Sequence, residues 1–180
     1  MNPGNDINHV LDKSAGWRKL MIKAGSSFFH NGKRGTIGAV VSLKGVLYMV
    51  TVSHIFQGEG DHLTVNGKLF AVTRILKDRN LALIEIPSET EVAITEFGSP
   101  AELELAELIN DTRVIHYCRV ANSGTSLLFL GFQCHDMPAP EDSGSPIVQG
   151  GKVIGMMSST TLDTCMGMAI SSKILCSLEV

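Results

Sequence analysis

A serine held between an acidic residue and a glycine is the point of this 180-residue chain best suited to chemistry. It lies in Pro140-Glu141-Asp142-Ser143-Gly144-Ser145-Pro146. Asp142 can bond nearby N–H groups, Gly144 tolerates backbone angles closed to other residues, and Pro146 sets the exit direction. Such a turn can hold a hydroxyl clear of the fold while aiming backbone N–H groups at one point. Acyl transfer needs that pairing of a nucleophile with donors for the developing oxyanion. An ordinary surface turn favours the same Ser, Gly and Pro, so the string gains weight only from its context.

A serine hydroxyl becomes a useful nucleophile when a positioned base takes its proton. Six histidines are candidates. His9 and His30 fall in polar segments with no strand beside them, His62 opens a strand next to a turn, His116 lies within a strand, and His135 follows Cys134. His54 differs, because it closes the apolar run Tyr48–Phe56, and the end of a rigid strand can hold a ring at the rim of a groove. The bland reading is a satisfied histidine at a strand end.

The elements that must position these residues are short strands. Gly35–Leu43 and Val46–Ser53 flank Lys44-Gly45, and His62–Val65 and Lys68–Leu76 flank Asn66-Gly67, the strongest short hairpin signal in the chain. Leu81–Ile86 reads as a further strand. A polar, acidic stretch from Ser88 to about Glu107 reads as a linker between halves. Strands resume at Thr112–Val120 and Ser126–Cys134, then at Ile147–Val148 and Val153–Ser158 around Gln149-Gly150-Gly151-Lys152, and at Gly167–Ile170. Helical spacing is confined to Asp6–Lys19, with Val10, Leu11 and Trp17 on one face, and to the terminal Ser171–Leu178. Many short strands in two groups predict an all-β chain of two sandwiches or barrels.

A hydrophobic share of 44% supports a real core, and the net charge of -3 gives no basic excess for binding nucleic acid. The polar start and the lack of a long apolar run predict no leader, no membrane span and a cytoplasmic location. Cys118, Cys134, Cys165 and Cys176 are then expected as reduced, largely buried thiols. Cys118, Cys134 and His135 lack the paired short spacing of structural zinc, so no metal or other cofactor is expected.

Taken together, these residues resemble the trypsin/chymotrypsin-like serine proteases, especially the compact, disulfide-poor HtrA-like and viral forms. Val52-Ser53-His54 is similar to the family's Ala-Ala-His, Asp142-Ser143-Gly144-Ser145-Pro146 to its Asp-Ser-Gly-Gly-Pro, and Asn80-Leu81-Ala82-Leu83 to its Asp-Leu-Ala-Leu. Lys152–Ser158 looks like the strand lining the substrate groove, and Gly167–Ser172 resembles Gly-Phe-Ala-Ile-Pro-Ser of HtrA-like enzymes. The resemblance runs from about Gly35 to Leu175, with His and Ser in the order this fold uses. It implies one peptidase domain of two antiparallel six-stranded barrels, at about 20–95 and about 105–180, with the active site in the cleft between them. It also implies an endopeptidase acting on proteins or peptides, with Ser143 as nucleophile, His54 as base and Asn80 in the acid position. The N–H groups of Glu141 and Ser143 would form the oxyanion hole. Met137 would stand at the base of the specificity pocket, with Met157, Ser158 and the Cys165–Gly167 region as its walls, so an uncharged side chain is expected there.

Three departures qualify that activity. Asn80 stands where the family has aspartate, either natively or as an inactivating change, with Asp78 as the alternative acid. Glu141 stands where active members have glycine, so the loop is expected to rest with a carbonyl turned inward until substrate or a partner resets it. No internal Ile-Val-Gly-Gly offers an amine to Asp142, which is expected to bond within its own loop. With no PDZ-like extension after Val180, regulation is expected from the N-terminal arm, a partner protein or assembly. The rival reading is a catalytically impaired pseudoprotease that binds proteins.

Overall fold

Local turn chemistry builds the first half. The computed structural model describes residues 21–179, so the helix expected at Asp6–Lys19 lies outside the described residues. Strands β1 (Ser27–His30) and β2 (Lys33–Thr36) turn through Asn31-Gly32, β3 (Ala39–Leu43) and β4 (Val46–Val52) through Lys44-Gly45, and β5 (His62–Val65) and β6 (Lys68–Ala71) through Asn66-Gly67. In all three turns both central residues have positive φ, 50° and 76°, 51° and 80°, and 51° and 78°. That geometry matches strand twist, and Asn and Gly adopt it with least strain. Strands β7 (Arg74–Leu76) and β8 (Leu81–Ile86) complete the half.

These strands lie in two sheets, ordered β2-β1-β5-β6 and β3-β4-β8-β7. β2 continues into β3 through Ile37-Gly38, and β6 into β7 through Val72-Thr73. Both edges of one sheet therefore run into the edges of the other, and the eight strands make six chain runs wrapped as a barrel. Its interior holds Phe28, Ile37, Met49, Leu63 and Ile84.

The second half closes outright. Strands β9 (Leu105–Leu108), β10 (His116–Ser123), β11 (Leu127–Phe132), β12 (Pro146–Gln149), β13 (Lys152–Thr161) and β14 (Met166–Ser171) form a closed barrel in the order β10-β11-β14-β13-β12-β9. Its core includes Leu108, Leu128, Leu130 and Ile147. The short helix α1 (Ser172–Leu175) follows, where Ser171 Oγ accepts from the Lys173 N–H. A third cluster joins the halves: Val41, Tyr48, Val50, Val52 and Leu83 pack with Met156, Ile170, Leu175 and Leu178. β4 reads as one continuous apolar run because Met49 faces its own barrel while Tyr48 and Val50 face this joint.

The all-β, two-barrel architecture is thus the one expected, with local corrections. β9 occupies the end of the stretch read as linker, because Leu108 and Ala106 pair with His116 and Cys118 of β10. His30, read as lying away from any strand, is buried in β1, and its Nδ1–H donates to the His62 carbonyl at 2.8 Å. The thiols are a further correction. Cys134 and Cys165 form a disulfide, with Cα atoms 5.1 Å apart. The pairing of β11 with β14, Gly131 opposite Met166, brings the two ends together. Cys118 and Cys176 are free, and burial, with Glu107 nearby, pushes the Cys118 thiol up to about 12.

Candidate active site

Strand register places the histidine and its neighbour. β4 pairs with β8 through Val52 and Leu81, so Ser53-His54 at the end of one strand meets Asn80 just ahead of the other. Ser53–Ile55 forms one 3-10 turn that leaves His54 exposed. Lys77–Arg79 forms another, capped by Asn80 at φ 53°, a left-handed conformation that asparagine tolerates better than most residues. Asp78, the alternative acid, sits exposed within that turn, and Asn80 is the residue that touches His54.

The contacts orient the Asn80 amide. The His54 backbone N–H, which can only donate, lies 3.0 Å from Oδ1, and the Ser53 hydroxyl donates to the same oxygen at 3.1 Å. Nδ2 then faces the Ser158 hydroxyl oxygen at 3.2 Å and His54 Nδ1 at 3.1 Å. His54 Nδ1 is 3.3 Å from Oδ1, longer than its distance to Nδ2. With Oδ1 already holding two donors, the network favours Nδ2 donating to Nδ1, which leaves the ring proton on Nε2. Ser158, expected only as a pocket wall, is thus also a partner of Asn80.

The serine turn is docked onto the other half by its glycine. Pro140–Asp142 forms a single 3-10 turn, and Gly144 follows at φ 91°. A Cβ on Gly144 would lie 2.2 Å from the Thr36 carbonyl oxygen and 2.6 Å from Thr51 Oγ1. Thr51 is on β4, just before His54, and its hydroxyl donates to the same Thr36 carbonyl at 2.7 Å. The Gly144 N–H donates to the Met157 carbonyl at 2.8 Å. Only a residue without a side chain permits this seating, which brings Ser143 to the edge of the first barrel that carries His54. Among the described residues, Ser143 Oγ has no hydrogen bond to the ring.

The Ser143 N–H is occupied, donating to the Pro140 carbonyl at 3.2 Å. Glu141 is exposed and keeps a φ outside the positive range. The Pro140 carbonyl thus closes the turn onto the Ser143 N–H, without a left-handed residue at 141. Asp142 is buried at 6% exposure and accepts from the Ala139 N–H at 2.8 Å, within its loop as expected. It also reaches outside the loop. Asn110 Nδ2 donates to Oδ1 at 3.0 Å, Arg34 Nη2 lies 4.0 Å from Oδ1, and His116 Nε2 lies 3.6 Å from Oδ2. These outside partners were not foreseen, since a lone histidine within a strand gives no local signal.

Of the residues expected to line a pocket, Met137 and Met157 pack in or against the core cluster of the second barrel. Met137 is half-buried against the second barrel's core, and Met157 is buried. A Cβ on Gly167 would lie 2.7 Å from both Met157 Cε and Phe132 Cε2, so those side chains occupy the space that glycine leaves. Phe132 is an addition to the expected lining.

No family model matches the sequence, and no curated protein does. Solved structures do match. Thermobifida fusca Protease A aligns with a TM-score of 0.65 at 16% identity, over 84% of this chain and 90% of its own. A glutamic acid specific serine protease, described as using a histidine triad in substrate binding, aligns with 0.68 at 11% identity, over 84% and 94%. The NSP4 proteinase from Equine Arteritis Virus aligns with 0.60 at 15% identity, over 84% and 74%. What the chain shares with all three is the two-barrel fold of the trypsin/chymotrypsin-like serine proteases.

Proposed function

We propose that the protein is a serine endopeptidase of attenuated activity, acting on protein or peptide substrates. The observation that carries this reading is the joint placement of His54, its partner Asn80 and the Ser143 turn, which Gly144 seats against Thr36 and Thr51. Ser143 Oγ attacks the scissile carbonyl carbon while its proton passes to His54 Nε2. The tetrahedral oxyanion is held by the N–H groups of Ser143 and Glu141. The His54 proton then goes to the leaving amine as the C–N bond breaks, and water releases the acyl group from Ser143 by the same steps.

Two features of the resting geometry oppose that sequence. His54 accepts the Ser143 proton only in the tautomer whose Nδ1–H donates to Asn80 Oδ1, the longer of the two contacts. The Ser143 N–H serves the oxyanion only after the Pro140 carbonyl turns away. These same features favour the second reading, a pseudoprotease that binds partner proteins. In this reading the specificity pocket is lined by Met137, Met157 and Gly167, so the residue on the acyl side of the cut is apolar, because a buried Lys or Arg there would gain no countercharge.

Fluorophosphonate labelling followed by peptide mapping tests the reading. Covalent label on Ser143, absent from Ser143→Ala, is the expected result, together with cleavage after apolar residues in a peptide library. A folded protein whose Ser143 takes no label, even at long exposure, overturns the enzyme in favour of the binding module.

A further inference from the structure

The loop between β11 and the nucleophile is tied at more points than its chemistry requires. Cys134 is bridged to Cys165, and Asp142 is held by Asn110 and by the Ala139 N–H. Between these lies Asp136, whose Oδ1 is 2.9 Å from His116 Nδ1. The other ring nitrogen of His116 faces Asp142 Oδ2 at 3.6 Å. One buried ring at the start of β10 therefore stands between two carboxylates that bracket Met137–Glu141.

We propose that His116 is a positioning residue for the oxyanion loop, its ring bridging Asp136 and Asp142. A neutral imidazole has one N–H and can serve one carboxylate, leaving a lone pair facing the other; the cation donates to both. The groups facing the ring are Asp136 from the loop and Asp142 from the 3-10 turn. Arg34 of β2 stands beyond Asp142, and on β9 the partner of His116 is the apolar Leu108. Arg34 does not replace the clamp, since its Nη2 is 4.0 Å from Asp142 and its buried Nε has no partner. A buried carboxylate needs a close countercharge, and His116 is the nearer source. The clamp favours the geometry in which it exists, with Asp142 capping Ala139 and Pro140 occupying the Ser143 N–H. Loss of the bridging ring leaves Met137–Glu141 free to reshape.

The proposal rests on reading this loop as the oxyanion loop, and its test measures no turnover, so either can fail alone. The measurement is backbone amide exchange by NMR at one fixed pH, read at the Ala139 and Ser143 amides. In His116→Gln both should exchange about tenfold faster, the loss expected when a charged hydrogen bond is removed. Asp136→Asn, altered at a partly exposed partner, should reproduce part of that change if His116→Gln fails to fold. Exchange in the folded variants unchanged within about twofold, a difference well under that of one charged hydrogen bond, overturns it.

Discussion

At the scale of single residues, the proposed activity turns on Asn80. A carboxylate there would accept from His54 Nδ1, fix the proton on that nitrogen and stabilise the imidazolium formed during attack. The amide instead presents Nδ2 at 3.1 Å, which favours the tautomer with its proton on Nε2. In a serine protease of this architecture the converse change, aspartate to asparagine, lowers kcat by about 10⁴, or about 5 kcal/mol of barrier. Asn80→Asp is therefore expected to raise kcat by orders of magnitude with little change in stability, most of all near neutral pH. Steady-state rates of both forms on one peptide across pH provide the check. If kcat is unchanged by Asn80→Asp and abolished by Asp78→Ala, the acid position belongs to Asp78.

At the scale of elements, the Pro140–Asp142 turn is closed by its own hydrogen bonds, Asp142 N–H to Ala139 at 2.9 Å and Ser143 N–H to Pro140 at 3.2 Å. Opening it means turning one peptide so that position 141 adopts positive φ. A side chain penalises that conformation by about 1–2 kcal/mol relative to glycine. Glu141→Gly should consequently speed fluorophosphonate labelling of Ser143 by roughly tenfold, the factor such a difference carries. A labelling rate equal to that of the unsubstituted protein would show that the backbone at 141 is not what holds the turn shut.

At the scale of the whole molecule, the two barrels are joined by a shared apolar cluster, and the cleft loops are joined by one bridge. Cys134–Cys165 closes a sequence separation of 31 residues between the loop ahead of Ser143 and the β13–β14 connection. Closing a loop of that size stabilises a fold by about 3–4 kcal/mol. In a chain of this length, Cys134→Ser is expected to lower Tm by on the order of 10 °C. Calorimetry with and without reductant tests this: the reductant should move the unsubstituted protein toward the variant and leave the variant where it is. Identical melting of all four samples would mean that the bridge adds nothing to stability.

What the sequence by itself determined is what depends on neighbours along the chain. Lys44-Gly45 and Asn66-Gly67 marked their hairpins because positive φ is a local preference, and Asn31-Gly32 carried the same signal although it was not used. The Ser143 turn and the strand ending at His54 were legible for the same reason, as was the closed turn that a glutamate at 141 implies. Only the tertiary structure decided the relations between distant residues. The orientation of the Asn80 amide depends on donors 26 and 27 residues away, and the Cys134 bridge, which spans 31, on the pairing of β11 with β14. Asp142 depends on Asn110, which lies 32 positions earlier. β9 and His116 were missed because a short strand and a lone histidine have no local signature. Barrel closure, which aligns β9 with β10 and turns His116 toward both carboxylates, is what gives them their place.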